Sequence, residues 1–239
     1  KLAVPTISLP CPYKLHETWD KKATDCIVNR LDCRGNVGHW YRARVRMLDD
    51  TNRWSHWSDP IDFQADEPDT LERLKNHLVL SELMYHAREG ADFDYLELHN
   101  TSDVSLEVSG VAISGGVRFI VPLDTQLAPG QFALVIGNND VAAFRAYYKL
   151  ADSTRILGAY RGKLANNGEQ LWVQSATDGS TLVSLMFSDD DDWPQAADGD
   201  GRSLIPVVTD PEKQALGELN HSRSWILSAA NGGSPGLED

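Results

Sequence analysis

Beyond residue 77 the chain alternates short apolar runs with polar, glycine-bearing breaks. Leu78-Val79-Leu80-Ser81-Glu82-Leu83-Met84-Tyr85 opens the series, and Asp94 to Asn100 follows with apolar and polar residues alternating. A period of two sends successive side chains to opposite faces of a strand. The same reading predicts strands over 104–114, 118–121, 131–136, 170–174, 182–187 and 203–208, separated by turns such as Pro129-Gly130, Asn167-Gly168 and Asp178-Gly179. Helical spacing is clear in Asp140 to Leu150, where Val141, Phe144, Tyr147 and Tyr148 recur on one side and Asn139 or Asp140 can cap. Many short strands with one short helix predict an all-β sandwich or barrel.

The first part of the chain carries a different pattern. Tyr41, Ala43, Val45 and Met47 alternate with Arg42, Arg44 and Arg46, giving a strand with one apolar and one cationic face. Asp49-Asp50-Thr51-Asn52 is turn chemistry, and the chain returns through Trp54 to Phe63. In a hairpin, Trp54 and Trp57 would lie across the arginine face and attract it by cation-π stacking. Trp54-Ser55-His56-Trp57-Ser58 on such a hairpin resembles the last two strands of a fibronectin type III domain, where the role is structural. A sandwich of that kind uses about 100 residues, so residues 1–66 are expected to form a partial or divergent fibronectin type III-like segment. The polar stretch from Ala65 to Thr70 suggests a linker over 67–77, with Asp69 or Thr70 able to cap a short helix through Leu71, Leu74 and Lys75. The third region is 78–239.

Charge sharpens this division. Residues 1–77 hold 12 of the 22 Lys+Arg and 12 of the 35 Asp+Glu, so the net charge of -13 resides entirely in 78–239. That surface repels polyphosphate and excludes nucleic acid as a partner, while favouring divalent cations. No apolar run approaches the roughly 20 residues that span a bilayer, so no membrane span is expected. Residue 1 is Lys rather than Met, which fits an excised segment. Cys11, Cys26 and Cys33 are an odd number, leaving at least one thiol unpaired within the chain and room for one bridge.

The most conspicuous polar cluster is Asp189 to Asp192 with Asp198 and Asp200, without a Lys or Arg among them. Crowded carboxylates repel, and a hard cation relieves the repulsion. Ca²⁺ is therefore the candidate ion, with Asp190, Asp192, Asp198 and Asp200 as ligands; the bland alternative is a solvated loop beside a Trp193-Pro194 corner. The same carboxylates suggest a hydrolase only if a cleft separates their pKa values. Gly232-Gly233-Ser234-Pro235-Gly236 formally matches the G-x-S-x-G elbow, but Pro235 has no N–H to offer an oxyanion, so a tight terminal turn is expected. The seven histidines include no HExxH or comparable ligand pair. Asn100-Thr101-Ser102 is a glycosylation sequon, yet Asn100 ends a strand, where its amide is expected to bond backbone.

Five segments together carry a resemblance: LVLSELMYH (78–86), DFDYLELHN (92–100), LANNGEQLWV (164–173), WPQAADGDGRSL (193–204) and NGGSPG (231–236). In this order they resemble the lamin-tail domain. The resemblance implies an immunoglobulin-like β-sandwich of the bacterial secreted type, at an extracellular or cell-surface location and often beside fibronectin type III modules. The function expected from it is a non-catalytic binding or positioning module, with other domains of its parent protein or a cell-surface polymer as partner. The alternative is an accessory anchor or spacer for a secreted hydrolase whose catalytic domain lies elsewhere. An independent hydrolase would require Asp192 or Asp198 for turnover.

Overall fold

The computed structural model describes residues 2–8, 40–47, 51, 53–64 and 70–238, which fall into two compact units, Lys1–Glu67 and Pro68–Asp239. Cys11, Cys26 and Cys33, and the turn residues Asp49, Asp50 and Asn52, lie outside the described residues.

In the first unit β1 (Leu2–Ser8), β2 (Trp40–Met47) and β3 (Ile61–Gln64) form an antiparallel sheet with β2 in the middle. The pairing of Arg42 with Asp62 sets the register of β2 against β3.

The second unit begins with α1 (Thr70–His77), whose Leu71 and Leu74 are buried one turn apart. The short helix expected through Leu71 and Leu74 is present, and its i, i+3 leucines give it an apolar stripe within the second unit. The strands that follow are β4 (Leu78–Met84), β5 (Tyr95–Asn100), β6 (Leu106–Glu107), β7 (Ala112–Ser114), β8 (Val117–Ile120), β9 (Gln126–Leu127) and β10 (Phe132–Ile136). Then come α2 (Val141–Tyr148), β11 (Arg155–Ala159), β12 (Arg161–Gly162), β13 (Gly168–Gln174), β14 (Thr181–Ser188), β15 (Leu204–Pro206), α3 (Pro211–Ala215) and β16 (Trp225–Leu227). The run expected over 104–114 is two strands, because Gly110 turns with φ +73° and the chain folds back there.

This unit is an all-β sandwich. One sheet has the order β11-β10-β5-β4-β15-β16 and the other β12-β8-β7-β13-β14, with β6 and β9 pairing separately. Between the sheets, Leu80, Leu96, Leu98 and Val135 meet Ile113, Leu171, Val173, Leu185 and Phe187 in one continuous core. Burying such side chains contributes roughly 1.5–3 kcal/mol each. The far side of the six-stranded sheet is also covered. There α2, capped by the Asp140 carboxylate accepting from Ala143 N at 3.0 Å, lays Phe144 and Tyr148 edge-on against Tyr95. Met84, Leu134 and Ile136 complete that second core. Among the described residues no helix is long and apolar enough to cross a membrane.

Candidate functional site

Covering the second face of the six-stranded sheet has a chemical consequence. Glu82 on β4 and Glu97 on β5 are cross-strand partners that point to this face, and each is only 1% exposed. Two adjacent buried carboxylates must find donors, since an unpaired buried charge is costly. The donors come from the end of the chain. Ser203 Oγ and Ser234 N donate to Glu82 Oε1, the latter at 3.0 Å, while Gly236 N donates to Glu97 Oε2 and Ser81 Oγ to Glu97 Oε1 at 2.7 Å. Tyr95 OH donates to the carbonyl of Gly232 at 3.1 Å. Gly233 sits against Glu82, Tyr95 and Ser203 with φ +72°, where a side chain has neither the conformation nor the space. Gly232, Gly233 and Pro235 thus belong to a turning terminal loop that closes over β4 and β5.

Burial is the main cause that pushes the Glu97 carboxyl up to about 8, and Glu82 beside it pushes the same way. Asp94 is likewise raised, to about 7, by burial, although Ala87 N donates to it at 2.8 Å. Raised carboxyls bind protons more tightly in the folded chain than in the unfolded one, so their contribution is full below the ordinary carboxylate range and is lost as pH rises. Melting temperature should therefore fall between pH 5 and pH 8, by up to about 1.4 kcal/mol of stability per unit for each raised group. Glu97→Gln should flatten that fall; thermal scans at stepped pH showing constant or rising stability would contradict the assignment.

A second polar node lies at the end of β4. His86 Nδ1 is 2.6 Å from Asp198 Oδ1, and His86 Nε2 is 3.0 Å from the Asn166 amide nitrogen. With the proton on Nδ1, the ring donates to Asp198 and accepts from Asn166, so both ring nitrogens are occupied. The place where a serine hydroxyl would stand in a charge-oriented triad is held by Asn166. Gly199, at φ +77°, passes within ordinary contact of the ring where a Cβ would press on it.

The acidic loop is thereby taken apart. Asp198 is committed to His86; Asp200 offers its carbonyl to Arg88 at 3.2 Å; Asp190 accepts from Ser188 Oγ at 2.8 Å; and Asp192 is exposed. Among the described residues no three His, Cys, Asp or Glu side chains converge as metal ligands. The Ca²⁺ ligand set expected from the sequence is therefore not assembled by this geometry. Trp193 packs on the main core 6.4 Å from the Trp225 ring, its backbone N–H donates to the Asp190 carbonyl at 2.8 Å, and Pro194 leads into a short turn of 3-10 helix, Gln195–Ala197.

In the first unit Arg46 lies over both indoles, 4.0 Å from the Trp54 ring and 4.5 Å from Trp57. Arg42 does not join that stack, because Asp62 takes its guanidinium with two hydrogen bonds at 2.6 and 2.9 Å. Arg44 is exposed.

Sequence reasoning missed the Glu82–Glu97 pair and the His86–Asp198–Asn166 node. The available signal was the motif set itself. Glu82 and His86 lie in 78–86, Glu97 in 92–100, Asn166 in 164–173, Asp198 and Ser203 in 193–204, and Gly233 and Ser234 in 231–236. All five segments therefore meet at these two nodes.

No family model matches the chain, and no curated protein matches it. Among solved structures it is similar to a DUF4876 family protein from Bacteroides thetaiotaomicron, at 10% identity and a TM-score of 0.42, covering 96% of this chain and 88% of that one.

Proposed function

We propose that the chain is a non-catalytic β-sandwich module of the lamin-tail type that binds or positions a partner for a larger secreted or cell-surface protein. The observation that carries this reading is a contrast between two kinds of polar residue. Groups with catalytic chemistry, His86, Asp198, Glu82 and Glu97, are fastened to one another, to Asn166, to serine hydroxyls or to backbone. Trp172, by contrast, stands 38% exposed on the outer face of the five-stranded sheet, where strand alternation sends it away from the core. An indole left open on a sheet face is characteristic of recognition surfaces, because it offers large contact area at small entropy cost. The meeting of all five motif segments at internal fastenings supports the lamin-tail reading, since it gives each segment a structural reason for its residues.

Two assays on the full chain test the proposal together. In native gels cast with neutral or acidic polysaccharides, at least one polymer should retard migration, and no new reducing ends should form during prolonged incubation. Turnover that disappears in His86→Ala or Asp198→Asn would contradict the proposal and make the second node catalytic.

A further inference from the structure

On the outer face of the five-stranded sheet the Trp172 indole has charged and polar company. Across its strands the pairing places Arg161 opposite Arg118, and Trp172 opposite both Ser114 on one side and Ser184 on the other. The β7–β8 register, Ala112 with Ile120 and Ile113 with Phe119, brings Ser114 opposite Arg118 one step further along. Arg161, Arg118, Ser114, Trp172 and Ser184 thus form a single transverse row over all five strands. Phe119 and Val117, the neighbours of Arg118, face the core, so the row is on the outside. Strands about 4.8 Å apart put Arg118 roughly 10 Å and Arg161 roughly 14 Å from Trp172.

Charge makes this row unusual in a chain of net charge -13. Arg118 and Arg161 are exposed like charges directly opposite each other, an arrangement that destabilises an antiparallel pair. No carboxylate among the described residues is paired with either. Two acids on or beside β13 are engaged elsewhere: Glu169 accepts from Ala165 N at 3.0 Å, and Asp178 accepts from Ser180 N at 2.9 Å and pairs with Lys75 at 3.8 Å. Gln170 and Gln174 flank Trp172 on the same face and tie the row together: Gln170 Nε2 donates to Ser184 Oγ at 3.1 Å, and Ser114 Oγ donates to Gln174 Oε1 at 3.2 Å.

We infer that this row binds an acidic polysaccharide, with a sugar ring stacked on Trp172 and a carboxylate of the same polymer held between Arg118 and Arg161. The inference rests on the binding-module reading above and names its ligand class and its surface. Guanidinium forks match carboxylates bidentately, and the anion removes the arginine repulsion that the free face carries. Glutamine and serine side chains suit sugar hydroxyls. A nucleic acid also offers rings and anions, but its phosphates meet only two cations here and a strongly acidic remainder.

The test is affinity electrophoresis of the full chain in gels containing polygalacturonate, dextran or no polymer, alongside titration with a single-stranded oligonucleotide. Polygalacturonate should retard migration, with retardation reduced by salt. Trp172→Ala and the double variant Arg118→Gln with Arg161→Gln should each weaken the apparent Kd at least tenfold, while Trp172→Tyr keeps most of it. All these positions are exposed, so unchanged melting temperatures verify folding. Equal retardation by dextran, or polygalacturonate binding unaffected by the variants, would overturn the inference and leave the module reading standing. Preference for the oligonucleotide would replace the ligand class, and failure of every polymer would remove both readings.

Discussion

Gly233→Ala is expected to destabilise the protein by about 2–4 kcal/mol, whereas Gly179→Ala should cost only about 1–2 kcal/mol. The two glycines have matched backbones, with φ +72° and +71°, so the left-handed strain of a new Cβ is the same at both. They differ in surroundings. A Cβ at Gly179 meets nothing within 4 Å, whereas at Gly233 it collides with Glu82, Tyr95 and Ser203. The excess at Gly233 therefore measures the closeness of the terminal loop to the buried carboxylates. Urea or thermal unfolding of the two variants provides the comparison, and equal losses would show that the loop does not seat on Glu82.

Asn100→Ala is expected to cost about 3 kcal/mol or more, because orphaning buried acceptors costs roughly 1–3 kcal/mol each. Asn100 is fully buried, and its amide nitrogen donates to the carbonyls of Val104, Leu127 and Ala128 at 2.9, 3.1 and 2.9 Å. Its Oδ1 accepts from the Ser102 N–H at 3.0 Å and hydroxyl at 2.7 Å. Asn100→Asp keeps the volume but points carboxylate oxygen at three carbonyls, so it should be at least as damaging as alanine. Equilibrium unfolding checks both; a near-neutral Asn100→Asp would mean that the amide is not the strap that joins these loops. The same burial explains why the sequon at Asn100 cannot carry a glycan in the folded chain.

What the sequence made legible was local. Alternation located β5, short apolar runs between turn residues located β4, β10, β13 and β14, and spacing with a cap located α2. Arg46 under Trp54 and Trp57 was also within reach, since a hairpin brings those residues together over a short stretch of chain. Glu82 and Glu97 were not. Their positions fall on the face that alternation assigns to solvent, and what covers that face arrives from α2 and from Ser234 and Gly236 at the far end of the chain. In the acidic loop, composition reported the crowding of aspartates but not that His86, just beyond β4, would claim Asp198. At α1 two leucines at helical spacing were legible within a polar stretch.

The central claim is that the motif residues fasten the sandwich from within while its open five-stranded face meets the partner. ¹H–¹⁵N spectra of the full chain titrated with polygalacturonate test it most directly. The account predicts shifts at the Trp172 indole and along 112–120, 168–174 and 181–188, with the signals of His86, Asn166 and 231–238 unmoved. Shifts centred on His86, Asp198 or the terminal loop, with Trp172 silent, would contradict it.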